Sequence, residues 1–166
     1  GQMEEAVLNT IVIDCRREAI KKGLKVWFST KGGSMAPLIR NGDRISVRDC
    51  CINRLKSGDM IIFQGKDSSR IIAHRIIKKI KEGGIRSFIT KGDSMLNCDR
   101  PAVLSNMVIG KIAEIQKPIF KISLDSLPGK ILNMFMLMFS VSRIIYLGRW
   151  VWRRIKLSSI RIQNGV

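Results

Sequence analysis

The sequence predicts a mainly β protein, in which an antiparallel β domain is flanked by an amino-terminal amphipathic helix and a carboxy-terminal hydrophobic and basic helix. Short β-branched runs separated by Gly-Asp and Asn-Gly turn signals fill the middle of the chain, as in antiparallel sheets. The connections between these runs are too short for crossover helices, which argues against a parallel sheet. A chain of 166 residues with 45% apolar content suits one compact domain with an appendage.

The amino-terminal helix is predicted over residues 3–23. Five apolar residues recur within it at helical spacing: Leu8, Ile11, Val12, Cys15 and Ala19. Gly23 then stands where a helix would end. The segment places acidic residues first and interrupts its apolar residues with charge, so we expect no signal peptide here.

The β domain is predicted over residues 24–117. Six runs in it have the composition of strands: LKVWFST, DRISVRD, DMIIFQG, SRIIAHRIIKKI, IRSFITK and NMVIGKIAEI. In an alternating strand through the fourth run, Ile72, His74 and Ile76 share one face. His74 is the only histidine in the chain. On the strand pattern alone it is typical of a core group, and a catalytic role needs a serine within hydrogen-bond reach and an acid behind the ring.

The carboxy-terminal tail, residues 118–166, is predicted to be helical. A helix from Ile131 to Trp152 would be about 33 Å long, which is enough to cross a bilayer by length. Arg143 near its centre would cost roughly 2.5 to 3.5 kcal/mol in the hydrocarbon. Tyr146 and Trp150, with basic neighbours, are typical of the headgroup boundary. The composition therefore favours a helix in the membrane plane; a helix packed on this domain or on a second copy, and a true span, are the alternatives.

The charge of the chain is strongly positive. Thirty Lys and Arg against thirteen Asp and Glu give a formal net charge of +17, which favours anionic polymers or anionic lipid as partners. The aromatic residues are few, and the sequence has no zinc-finger, helix-turn-helix or RNA-recognition signature, so nucleic acid is the less favoured partner. The four cysteines form no CxxC pair, which argues against a zinc site and indicates thiols in a reducing compartment.

Two nearly identical segments raise the question of catalysis: TKGGSM at 30–35 and TKGDSM at 90–95. Ser34 in the first follows two glycines, and Pro37 suits the first turn of a short helix whose free N–H groups could stabilise an oxyanion. A serine after Gly-Gly is, by itself, more often an ordinary loop residue. The second segment supplies Asp93 and is followed by Asp99, and Gly-Asp pairs are also common in plain turns.

Five blocks in order resemble the type I signal peptidases, in the branch found in the endoplasmic reticulum and archaea: GGSMAPLIRNGDRISV, LKSGDMIIF, RIIAHRIIKKI, FITKGDSMLNCDR and VIGKI. The resemblance covers roughly residues 26–112 and implies a signal-peptidase-like fold for the β domain. It implies that Ser34 is the nucleophile, His74 the general base, Asp99 the acid that orients the base and Asp93 a second acid in the site. Met35 and Pro37, next to the nucleophile, are expected to contact substrate.

The chain departs from the family at two places in these blocks. Ser94 stands where the family usually has asparagine. Gly32 stands where relatives often have a serine whose hydroxyl helps to hold the oxyanion. Backbone N–H groups are therefore expected to stabilise the oxyanion, and the loss of one donor can lower the rate about 100-fold or more.

The resemblance implies a serine endopeptidase that cleaves a leader or signal segment from a peptide or protein substrate, with no metal or organic cofactor. Relatives usually have an amino-terminal membrane anchor, whereas this chain begins with a charged amphipathic helix. We therefore expect a membrane-associated protein at the cytoplasmic face, held on an anionic surface by its carboxy-terminal helix. Three alternatives remain: a catalytically idle peptide-binding module, a self-cleaving regulator like LexA, and a basic nucleic-acid-binding protein.

Overall fold

A computed structural model describes residues 2–65 and 70–140, and within them the chain forms one antiparallel sheet of eight strands and two longer helices. The strands are β1 Val26–Ser29, β2 Arg44–Arg48, β3 Met60–Gln64, β4 Ile71–Glu82, β5 Ile85–Lys91, β6 Val103–Leu104, β7 Val108–Gln116 and β8 Lys121–Ser123. Helix α1, Gln2–Lys21, precedes the sheet, and helix α2 covers 127–140 at the end of the described chain. The predicted fold class is confirmed.

The sheet is organised around β7. The strand order is β1-β2-β7-β3-β4-β5-β6, and β8 also pairs with β7. One edge of β7 pairs with β2, while its other edge pairs first with β3 and then with β8. β6 and β8 have no counterpart among the six predicted runs, because two or three residues are too few to show alternation. β8 also extends the sheet beyond residue 117.

Both faces of the sheet are buried. The side chains of β3 alternate between two hydrophobic clusters, with Ile62 in one cluster and Ile61 and Phe63 in the other. Both helices cover the same face, since Ile20 of α1 and Met136 of α2 belong to the cluster that contains Ile62. The opposite face, where Ile61 and Phe63 pack, carries no residue of either helix in its cluster within the described ranges.

Helix α1 is turned differently from the orientation that its apolar pattern suggests. Ile13 and Ile20 are buried, and Arg17 between them reaches Gln64 Oε1 at 3.0 Å. The exposed side carries four of the five residues of the predicted apolar face: Leu8, Ile11, Val12 and Cys15. Ile20 packs where β7 has Gly110, at which an added Cβ would lie 3.4 Å from the Ile20 side chain. Contacts with the sheet, and not the helical pattern, therefore select the buried side.

Helix α2 is attached to the domain by apolar and polar contacts. Leu132 and Met136 pack on the same cluster as Ile20, and Ser140 accepts a hydrogen bond from Lys91 at 2.8 Å. Its outer side exposes a row of large apolar residues: Leu127, Ile131, Met134, Phe135 and Met138. In residues 2–65 and 70–140, neither helix combines the length and hydrophobicity needed to span a bilayer. Arg143, Tyr146, Trp150 and Trp152 lie outside the described residues.

Candidate active site

Ser34 lies in a loop of residues 30–43, called the Ser34 loop below. Its two ends are joined by backbone hydrogen bonds, from Thr30 N to Asp43 O at 2.9 Å and from Gly42 N to Thr30 O at 3.0 Å. Gly32 has a φ of 85°, a left-handed conformation that only glycine adopts without strain. The Gly-Gly pair before Ser34 therefore allows the chain to turn sharply and present the serine at the surface of the domain.

Asp43 closes the Ser34 loop from its far end. Its Oδ2 accepts hydrogen bonds from Arg40 N at 2.6 Å and from Lys117 Nζ. Burial raises the pKa of Asp43, but the hydrogen bonds and positive charges of Lys117 and Arg40 outweigh burial, and the pKa lies below its ordinary value. In the sequence, Gly42–Asp43 is one of the Gly-Asp pairs that by themselves indicate only a turn. Its role in the loop depends on Lys117, which no local pattern could have connected to it.

His74 and Asp99 form a pair at the start of β4. His74 Nδ1 lies 2.6 Å from Asp99 Oδ2, and the His74 ring is buried against the edge of Phe63. Thr90 Oγ1 donates to the same carboxylate oxygen at 2.6 Å, and Asp99 N donates to Thr90 O. A carboxylate accepts, so in the neutral form of the ring this contact requires the proton on Nδ1, and Nε2 is then the acceptor. Thr90 was missed by sequence analysis, and the only available signal was its place in the repeated TKG segment.

The Ser34 loop packs on Gly92 and Ser94, which lie between Thr90 and Asp99 in the chain. The pairing of β4 with β5 ends at Arg75 opposite Lys91, and Gly92 follows Lys91 directly. A Cβ on Gly92 would lie 2.6 Å from Ser34 O, which is closer than real contacts allow, and 3.0 Å from Ser34 Cβ. A residue without a side chain at 92 is therefore what lets the serine approach. Within the described residues, the Ser34 hydroxyl and the His74 ring form no hydrogen bond with each other.

Asp93 is directed to a different partner from Asp99. Its two carboxylate oxygens accept hydrogen bonds from Arg75 Nε and Nη2, both at 2.7 Å, and both side chains are completely buried. Arg75 Nη1 also donates to Gly58 O at 2.9 Å and to Asn133 of α2. The structure thus brings Asp99 to His74 and Asp93 to Arg75, the residue that follows the histidine.

A groove of about 270 Å³ begins at Ser34 and runs between β1 and the start of β4. Its apolar lining consists of Phe28, Met35, Ile39, Ile45, Ile62, Ile71, Ile72 and Ala73. Met35 lies in the wall of the groove, whereas Pro37 is exposed and outside the lining; contact of either residue with substrate stays a prediction. On the side that faces β5, residues 71–74 of β4 have no strand partner in the described chain.

A loop serine in contact with Gly92 and Ser94, in the segment that leads to a hydrogen-bonded His–Asp pair, combines the residue types that serine hydrolases use. No protein-family model matches the chain. It is similar to signal peptidase I W of Bacillus subtilis, with 32% identity over 91 residues, covering 54% of this chain and 47% of the relative. It is also similar to human signal peptidase complex catalytic subunit SEC11C, with 30% identity over 101 residues, covering 56% and 53%.

A third relative is signal peptidase complex catalytic subunit SEC11 of Fusarium vanettenii, with 31% identity over 68 residues, covering 40% of each chain. The chain thus spans about half the length, or less, of the curated relatives it matches. The resemblance found in the sequence motifs is confirmed. The chain is similar to type I signal peptidases over about half of its length.

Proposed function

We propose that the chain is a serine endopeptidase of the signal-peptidase type, which cleaves a leader or signal segment from a peptide or protein substrate. The observation that carries the proposal is the 2.6 Å contact between His74 Nδ1 and Asp99 Oδ2, beside a loop serine that packs on Gly92. These contacts support the proposal, because nucleophilic catalysis needs a serine, a base and an orienting acid near one another. The similarity to signal peptidases supports the same activity.

His74 acts as the general base of the proposed reaction. Nε2 takes the Ser34 proton as the hydroxyl oxygen attacks the scissile carbonyl, and the imidazolium then gives that proton to the leaving amine. In the second step Nε2 takes a proton from water as the water oxygen attacks the acyl-enzyme, and the imidazolium returns that proton to Ser34 Oγ as the ester bond breaks. Asp99 keeps the ring in the required tautomer, and Thr90 holds Asp99 in place. Catalytic hydrogen bonds are often long before substrate binds, so we expect the Ser34–His74 bond to form in the substrate complex.

The backbone N–H of Ser34 is the donor that we assign to the oxyanion. Gly32 has no hydroxyl to offer, and its own N–H donates to Asn41 Oδ1 at 3.2 Å. The Gly32 N–H is therefore already bonded to Asn41. The proposed chemistry requires neither a metal nor an organic cofactor.

The substrate binds in an extended conformation in the groove. The free edge of β4 at residues 71–74 can pair with a peptide backbone, which would extend the sheet by one strand. The aliphatic lining beside it, including Met35 and Ile71, suits small apolar side chains before the scissile bond. Pairing of the main chain gives affinity, and the groove gives the selectivity.

The test is covalent labelling of the full chain. After treatment with a serine-directed acylating agent, mass spectrometry is expected to place the adduct on Ser34. Ser34→Ala should abolish labelling, whereas Ser57→Ala, at an exposed serine away from the site, should leave it unchanged. An adduct on Ser94 with Ser34 untouched would overturn the assignment. A chain that binds peptide but is never labelled would instead be the catalytically idle module.

We also propose that the protein works on an anionic membrane surface, at the cytoplasmic face. Both helices cover the same face of the sheet, and both expose large apolar side chains, among them Ile11 on α1 and Met134 and Met138 on α2. Such apolar faces together with a net charge of +17 suit a helix lying in the headgroup region of anionic lipid. All four cysteines are free, as is usual in reducing compartments.

Vesicle flotation tests the membrane proposal. The full chain is expected to float with vesicles that contain anionic lipid and to remain unbound with neutral vesicles. A chain ending at Pro128 should be released, and so should the full-length double variant Met134→Glu/Met138→Glu, whose two positions are 60% and 65% exposed and so tolerate charge. Equal flotation of all three forms would show that the basic domain binds the membrane without α2.

A further inference from the structure

We propose that Ser94 is a positioning residue, which holds the nucleophile loop in its reactive orientation. The inference rests on the proposed function. Ser94 Oγ lies 2.8 Å from Gly33 O and 3.0 Å from Ser34 O, and Ser94 N donates to Ser34 O at 2.9 Å. One residue of the second repeated segment therefore contacts two successive carbonyl groups of the first.

These contacts control the orientation of the oxyanion donor. Gly33 C=O and Ser34 N–H belong to the same peptide unit, and in a trans peptide the two bonds point in opposite directions. A hydrogen bond that fixes the carbonyl consequently fixes the direction of the N–H. Gly33 has no side chain to restrict rotation of this unit, so the restraint must come from outside it.

The bonds from Ser94 tie the loop to the element that carries the base. Gly33 O also accepts from Ala36 N at 3.0 Å, but that bond lies inside the loop and moves with it. Ser94, in contrast, follows Asp93, which is held by its ion pair with Arg75 next to His74. The position of the nucleophile and that of the base are thus both set by β4 and by the segment that follows β5.

The role of the two similar segments follows from this geometry. TKGGSM presents the nucleophile, and TKGDSM supports it, with Gly92 leaving room for Ser34 and Ser94 bonding to its backbone. The Ser94 hydroxyl has one proton, and both of its neighbours are carbonyl acceptors. It is therefore a structural donor and has no general base of its own.

The experiment compares Ser94→Ala with Ser94→Thr, which retains a hydroxyl, and with Ser57→Ala as the exposed control. We expect Ser94→Ala to lower the rate of Ser34 acylation about tenfold or more, which is less than the effect of removing an oxyanion donor outright. Ser94→Thr should recover most of the rate. With a quenched fluorescent peptide carrying alanine before the scissile bond, the loss should fall in kcat and leave KM nearly unchanged.

The affinity for a peptide aldehyde is a second measurement, and it would not change if Ser94 only stabilised the fold. The aldehyde forms a tetrahedral adduct with the nucleophile, so its affinity should fall in parallel with the acylation rate in Ser94→Ala, at an unchanged melting temperature. If Ser94→Ala keeps the wild-type acylation rate and the wild-type affinity for the aldehyde, Ser94 is not a positioning residue. The proposed function would be unaffected by that result. A wild-type chain that is not labelled on Ser34 would reject the proposed function, and with it this role.

Discussion

Asp99→Asn is expected to lower turnover by several hundred-fold or more, on the scale known for catalytic triads. The amide has nearly the shape of the carboxylate, but it can present an N–H to His74 Nδ1 where the ring needs an acceptor. The imidazole would then carry its proton on Nε2 and could not take one from Ser34. The measurement is turnover of one cleavable peptide by the wild type and the variant, with folding checked by thermal melting.

Thr90→Val provides the graded control for this prediction. It removes the hydroxyl that lies 2.6 Å from Asp99 Oδ2 but leaves the carboxylate itself against the ring. We expect a smaller loss of turnover than in Asp99→Asn. If Asp99→Asn remains folded and turns over peptide at the wild-type rate, the assignment of Asp99 as the orienting acid is wrong.

Asp93→Asn is expected to act on stability, lowering the free energy of unfolding by about 3 to 5 kcal/mol. Arg75 and Asp93 are both completely buried, so neutralising the acid leaves the guanidinium charge without its counter-ion in the interior. The measurement is denaturant unfolding, followed at a temperature where the variant still folds. The neighbouring contacts of Arg75 with Gly58 O and Asn133 remain and limit the loss.

Two control variants test whether the loss of stability in Asp93→Asn comes from a buried charge left without its partner. Asp125→Asn breaks the ion pair with Arg48, whose partners are 50% and 39% exposed, and should lower the free energy of unfolding by less than about 1 kcal/mol. The double variant Arg75→Met/Asp93→Leu should recover part of the stability lost in Asp93→Asn, because no unpaired charge is left. If Asp93→Asn keeps wild-type stability and loses more turnover than Asp99→Asn, the roles of the two acids are reversed.

The amino-acid sequence by itself determined the type of fold and most of its strands. Alternating β-branched runs and Gly-Asp turns are local signals, and each of the six predicted runs overlaps an observed strand. The ordered motifs also singled out Ser34, His74 and Asp99, whose catalytic roles stay predictions. This was possible because turn chemistry and the spacing of motifs can be read within a few residues of one another.

Only the tertiary structure decided which side chains meet. The two acids of the second segment look alike in the sequence, yet Asp99 contacts His74 and Asp93 contacts Arg75, because the pairing of β4 with β5 sets their positions. Contact between Ser94 and the Ser34 loop joins residues about 60 positions apart. The buried side of α1 likewise depends on the surface that the sheet offers to it. Contacts between segments distant in the chain leave no local pattern in the sequence. They depend on how the whole chain packs, so only the tertiary structure reveals them.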